Sequence, residues 1–174
     1  IKSKVHQGIL VKCKKNNFNL DSINKQEKII IILDSLSDSQ NVGSIIRSSF
    51  LFGIKSVIYN RNNSFELSPF LIKTSCGAYE KIKLIEVSNL SRTINTLKKI
   101  GFWVVGMDTD SKSRLDKIPK DLKKVIIFGS ENKGIRKLLK GQCDFLATIN
   151  LPEKNKKIDS LNVSNSAAIA LYEL

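Results

Sequence analysis

The chain has 174 residues, 41 % of them hydrophobic, and its 29 lysines and arginines outnumber 16 aspartates and glutamates to give a formal net charge of +13. This length suits one compact domain, and the longest apolar run, Ile29 to Leu33, is strand-sized and far short of the roughly 18 residues of a membrane span, so no membrane partner is expected. A basic excess of this size concentrates polyanions and makes nucleic acid the leading partner, the alternative being lysines that serve only as solvated surface charge.

The three cysteines, Cys13, Cys76 and Cys143, are odd in number and far apart, which fits neither a disulfide framework nor a CxxC metal site. A reducing, cytoplasmic setting is expected, with no metal. Residues 1–27 are basic and polar with little periodicity and read as an arm or linker, with order beginning at Lys28. The first residue is Ile1, and the chain is expected to follow a missing N-terminal part.

From Lys28 the pattern alternates. "KIIIILD" is a continuous β-branched run, as in a strand buried on both faces. In "NVGSIIRSSFLFGI" the positions Val42, Ile45, Ile46, Ser49, Phe50 and Gly53 recur as the inner face of a helix, and "SVIY" is the next strand. A helix is predicted over 68–74, a strand at "KLIEV", a helix over 90–100, and strands at "FWVVGM" and "VIIF". A short helix over 134–139, a strand at "FLATI" and a closing helix from Val163 complete the chain. Such alternation predicts an α/β domain, residues 28–174, whose parallel sheet is covered by helices on both faces and whose ligands gather at the carboxyl ends of its strands.

Loops at those ends hold polar residues that packing does not require. In "LDSLSDSQNVGSIIRSSFLFG" either Asp38 or Asn41 can cap the helix, but Arg47 among apolar neighbours needs an anionic partner or a water-filled cleft. In "IIFGSENKGIRKLL", Gly129 and Gly134 allow close approach of a ligand to the backbone, and Glu131 can pair with a cation or favour the start of the helix. This is no phosphate loop, because Ile135 and Arg136 stand where that motif needs Lys and then Ser or Thr. In "SLNVSNSAAIALYEL" one cap needs Ser160 or Asn162, and the other is surplus, free to face a cleft. "DTDSKSRLDKIP" resembles the start of a calcium loop but has Ser113 for the required Gly, and is read as a polar loop. His6, the only histidine, leaves no convincing hydrolytic triad.

Together, "LDSLSDSQNVGSIIRSSFLFG", "IFGSENKG" and "LPEKNKKIDSLNVSNSAAIALYE" resemble, in order and spacing, the motifs of the SpoU family of the SPOUT superfamily, the RNA 2'-O-ribose methyltransferases. "CGAYE" at 76–80 is similar to a further element, and "HQG" at 6–8 to the junction after a small N-terminal RNA-binding domain. The resemblance implies a C-terminal trefoil knot, a homodimer, and S-adenosylmethionine as cofactor, held by the segments around Met107, Gly129, Ile149, Leu151, Leu161 and Asn162. It implies Asn41, Arg47, Glu131, Ser160 and Asn162 as catalytic residues. The implied reaction is 2'-O-methylation of a guanosine of 23S ribosomal RNA, with transfer RNA as the alternative substrate and a non-catalytic RNA-binding or ribosome-assembly module as the alternative role. The chain departs from the family's usual pattern at Ser39, where Pro is frequent, at Asn132, where Gly is frequent, and at Glu153, where Met is frequent; "EKNKKID" is also longer than the usual loop.

Since a guanidinium does not deprotonate in a protein, Arg47 is expected to hold a phosphate and stabilise the developing oxyanion rather than act as base. Ser160, Asn162 or water would carry the proton, with Asn41 and Glu131 orienting Arg47 and the ribose.

Overall fold

The computed structural model describes residue 14 and residues 16–62, 64–151 and 160–174; the "HQG" element and the "EKNKKID" stretch lie outside the described residues. The first strand, β1 (Ile29–Asp34), follows from its β-branched run: Ile30 to Leu33 have no exposed surface. The other strands are β2 (Ser56–Asn60), β3 (Lys83–Val87), β4 (Trp103–Met107), β5 (Lys124–Gly129) and β6 (Phe145–Ala147). They form one sheet in the order β3-β2-β1-β5-β4-β6, with every pairing parallel.

Helices α1 (Ser39–Leu51), α2 (Pro69–Thr74), α3 (Leu90–Lys99), α4 (Lys137–Lys140) and α5 (Val163–Glu173) cover both faces. Alternation along β1 sorts the core: Ile31 and Leu33 pack with Ile45 and Ile46 of α1 and Ala167 and Ala170 of α5, whereas Ile30 and Ile32 pack with Ile94 and Leu97 of α3 and Leu139 of α4. Each such isoleucine contributes about 1.5–3 kcal/mol by leaving water, which is why the central strand tolerates no polar residue before Asp34.

Caps set where the helices begin. The Asp38 carboxylate accepts from the backbone N–H groups of Gln40 and Asn41 at 2.6 and 3.3 Å, so α1 starts immediately after it. Asn89 caps α3, Ser68 caps α2 and Asn162 caps α5.

Three expectations are corrected. Phe50 lies 44 % exposed and Gly53 falls beyond α1, so the helix buries Val42, Ile45, Ile46 and Ser49 without them. The short helix is Lys137–Lys140 rather than 134–139, because Gly134 adopts φ 61°, outside the right-handed helical region. Order also precedes Lys28: Phe18 bridges Ile85 of β3, a 3-10 turn spans Leu20–Ser22, Glu27 is buried, and the Lys83 ammonium donates to the Ser22 carbonyl.

At its other end, β6 is bracketed by the chain that follows β4. Asp108 N–H donates to the Ala147 carbonyl at 2.9 Å, Thr148 N–H to Ser113 at 2.9 Å and Leu115 N–H to Thr148 at 2.9 Å. The segment 108–115 thus runs around the exit of the last strand.

Candidate active site

Strand order reverses between β1 and β5, which places a crevice outside their carboxyl ends. Asp34 is the last residue of β1 and pairs in register with Gly129, the last of β5. From these neighbouring ends the chain departs in opposite directions, into α1 on one side and into the turn 130–134 on the other.

The turn folds back tightly on β5. A Cβ at Gly129 would lie 2.1 Å from the Gly134 carbonyl carbon and 2.2 Å from the Ile135 nitrogen, so only glycine fits. Gly134 N–H donates to the Ser130 carbonyl at 2.8 Å and closes the loop. Its far side is fastened to β1: the fully buried Asp34 carboxylate accepts from Arg136 N–H at 2.9 Å and from Arg136 Nε at 2.7 Å. Glu131 is thereby presented from a turn tied at both ends.

Three of the candidate side chains meet in a line. Asn162 Nδ2 donates to Asn41 Oδ1 at 3.0 Å, and Asn41 Nδ2 donates to Glu131 Oε1 at 2.6 Å. Asn162 Oδ1 accepts from Ser164 N–H at 2.8 Å and from Ser164 Oγ at 2.6 Å. Asn162 therefore caps α5 and reaches across to α1 at once. Of the pair Ser160 and Asn162, Ser160 is the surplus residue; its exposed side chain has no hydrogen bond among the described residues.

These residues border a cleft of about 580 Å³, within the usual 300–1,000 Å³ of a small-molecule or cofactor site. Its walls include Met107, Gly129, Ile149, Leu151 and Leu161 together with Glu131, Ser160 and Asn162, while Asn41 closes the line from outside. The lining mixes aliphatic side chains with amides, hydroxyls and the close backbone of the Gly129 turn. That mixture fits a cofactor with a flat apolar portion, hydrogen-bonding edges and a polar tail.

Arg47 is placed differently. It lies on the exposed side of α1, does not line the cleft, and has no hydrogen bond or ion pair among the described residues. The expectation offered an anionic partner or a water-filled cleft, and solvent reaches Arg47 on the outer side of α1. Asn41 and Glu131 bond to each other rather than orienting it.

Sequence reasoning named the segment around Met107 but not the individual residues that follow it. Asp108, Thr109, Asp110 and Ser111 line the cleft, and Asp108 Oδ2 pairs with Lys140 Nζ, another lining residue, at 2.7 Å. The signal was available: a polar run directly after a strand in a parallel sheet occupies the ligand-binding edge. Among the described residues no group of three or more His, Cys, Asp or Glu side chains is placed to hold a metal ion, and no helix is long and apolar enough to cross a membrane.

Comparison with known proteins fits this geometry. The chain is 38 % identical over 177 residues to the 23S rRNA (guanosine-2'-O-)-methyltransferase RlmB of Coxiella burnetii, covering 97 % of this chain and 69 % of that protein. Among solved structures, a putative RNA methyltransferase of the TrmH family from Porphyromonas gingivalis superposes with a TM-score of 0.75 at 28 % identity, over 84 % of this chain and 59 % of that one. An AdoMet-bound rRNA methyltransferase from Sinorhizobium meliloti shares the fold with a TM-score of 0.83 at 24 % identity, over 92 % of this chain and 60 % of that one. The chain thus spans about three-fifths of the length of these two solved chains. The profile of the SpoU rRNA Methylase family matches residues 28–172, so the chain belongs to that family.

Proposed function

We propose that this chain transfers the methyl group of S-adenosylmethionine to a ribose 2'-hydroxyl in RNA, with a guanosine of 23S ribosomal RNA as the target. The observation that carries the reading is the Asn162–Asn41–Glu131 line at the lip of a cofactor-sized cleft. Similarity to the RlmB of Coxiella burnetii supports the choice of ribosomal RNA.

The cofactor would lie between Met107, Gly129, Ile149, Leu151 and Leu161, with Asn162 at the boundary between cofactor and ribose. When bound, it supplies an electrophilic methyl group on a sulfonium that leaves as a neutral sulfide. The protein has to align the hydroxyl and favour loss of its proton. Ser160, without a hydrogen bond among the described residues, holds the ribose by its hydroxyl. Glu131 keeps one carboxylate oxygen beyond its bond to Asn41, and that bond fixes its direction. Arg47 is the permanent cation that binds the adjoining phosphate and stabilises charge on the reacting oxygen.

The same proposal includes a homodimer. Phe50, Leu51 and Phe52 at the end of α1 and Ile169 and Tyr172 on α5 are between 41 % and 79 % exposed, and the Phe52 and Tyr172 rings stand 6.5 Å apart. A second copy covering this apolar face would meet Arg47, one helical turn before Phe50 and Leu51, and turn it towards an active site. The proposal also includes a trefoil knot, supported by the hydrogen bonds with which segment 108–115 surrounds the end of β6. The working setting is the cytoplasm.

The experiment is transfer of a labelled methyl group from S-adenosylmethionine to ribosomal and transfer RNA, with the 2'-O-methylated position mapped. Arg47→Ala is expected to abolish most turnover while cofactor affinity stays within about two-fold, as for an interaction made only in the transition state. Native turnover by that variant removes Arg47 from the mechanism; label appearing only in transfer RNA overturns the ribosomal assignment.

A further inference from the structure

The turn that presents Glu131 continues into an outward row of cations. Ile135 and Leu139 point into the core beside α3, leaving Lys133, Arg136 and Lys137 exposed and Lys140 at the cleft wall. Two of the four are held by carboxylates at strand ends. Asp34 binds Arg136 through Nε and the backbone N–H, and no other contact occupies the guanidinium among the described residues. Asp108 binds Lys140 at 2.7 Å. Asp34 ends β1 and Asp108 follows β4, with β5 between them, so the two anchors are about 10 Å apart, two strand spacings.

Fastening an arginine at Nε leaves its two terminal nitrogens outward as a preorganised fork for phosphate, with less rotamer freedom to lose on binding. The Arg136 side chain is 47 % exposed and Asp34 is fully buried, so the acid orients the cation without offering a competing surface charge. Lys133 and Lys137 on either side have no acidic partner among the described residues.

We propose that Lys133, Arg136 and Lys137, with Lys140 at their inner end, form a phosphate-gripping lip that lays the RNA backbone across the mouth of the cleft, and that Asp34 is the positioning residue for Arg136. This rests on the reading of the protein as an RNA-modifying enzyme and adds the path by which the RNA enters. The lip fixes register and orientation; it does not read bases.

The test measures binding of a fluorescein-labelled RNA hairpin across a salt series, using the wild type and single variants. Lys133→Ala and Lys137→Ala are each expected to weaken binding several-fold and to lower the slope of log affinity against log salt by about one. Arg136→Ala should do more than Arg136→Lys, since lysine keeps the charge without the fork. Asp34→Asn should lower the slope with Arg136 still present, an effect that lost stability alone would not produce; thermal melts of each variant identify those that fold. Lys99→Ala, exposed at the opposite end of α3, is the control for general charge and is expected to leave the slope unchanged. Unaltered slopes in Lys133→Ala and Lys137→Ala, or an equal fall in Lys99→Ala, overturn the lip. Calorimetry with S-adenosylmethionine and methyl transfer by the wild type are scored separately. Failure of transfer with the slopes still responding would sink the methylation reading and leave the lip standing, and the reverse result would do the opposite.

Discussion

Asn41 lies between Glu131 and Asn162, donating to the first at 2.6 Å and accepting from the second at 3.0 Å. One side chain therefore links the helix after β1, the turn after β5 and the start of the last helix. Each amide's orientation is dictated by its neighbour, because Asn162 Oδ1 is already committed to Ser164. Asn41→Ala should slow methyl transfer by about 100-fold through misplacement of groups that must align closely, with cofactor affinity nearly unchanged. In a double-mutant cycle with Glu131→Ala, the two losses should fall well short of adding; additive losses would show that the line does not act as a unit.

The backbone contact at Gly129 predicts a sharp difference between two glycines of one turn. Gly129→Ala drives a methyl group into the Gly134 and Ile135 main chain, which cannot yield as a side-chain tip could. A loss of about 3 kcal/mol, the upper end for overpacking, and failure to bind the cofactor are expected. Gly134→Ala meets no atom within 4 Å and suffers only from its φ of 61°, at a cost of about 1 kcal/mol. Urea denaturation and cofactor titration of both variants check the contrast.

Cys143 and Cys76 should differ in reactivity. Burial pushes the Cys143 thiol up from 9.0 to about 11, whereas Cys76 is exposed. In a Cys13→Ser background, Ellman's reagent at mildly alkaline pH should modify Cys76 quickly and Cys143 only on unfolding. The linkage has a definite sign: the folded protein holds this proton more tightly than the unfolded chain, so the stabilisation is complete below about 9.0 and is lost as pH rises through about 11. A Cys143→Ala variant should lose the corresponding part of the alkaline decline, measured as denaturation midpoints against pH.

The apolar face on α1 and α5 predicts the outcome of charge insertion. Leu51 is 71 % exposed and Tyr172 79 % exposed, so replacing either with Glu leaves the monomer's core untouched. If two copies pair through this face as proposed, Leu51→Glu should shift sedimentation from dimer to monomer and reduce turnover together, while the melting profile of the monomer remains cooperative. A variant that stays dimeric would place the partner surface elsewhere.

The ease with which the architecture could be read reflects how strongly each segment is constrained. Four consecutive isoleucines admit a strand buried on both faces and little else, and Asp38 and Asn162 sit where caps belong. The α4 boundary was harder, because the left-handed turn at Gly134 is dictated by main chain from β5 pressing against it, a contact no local pattern records. Phe50 was harder to place for a related reason: periodicity identifies a helix's apolar stripe but cannot say how far the neighbouring helices spread over it. Glu131 and Ser160 could be singled out as polar residues beyond the needs of packing. The Asn41 bridge and the Asp34–Arg136 anchor could not, since each depends on strand register between distant parts of the chain.

That the binding crevice is finished by Ser160 to Ser166 has a consequence for the order of assembly. These residues can seat only once β5 has inserted between β1 and β4. A folding chain thus exposes an unfinished sheet until α5 docks, a period of vulnerability to aggregation. Capture of the methyl donor can then serve as a reporter of completed folding, appearing only after α5 has docked.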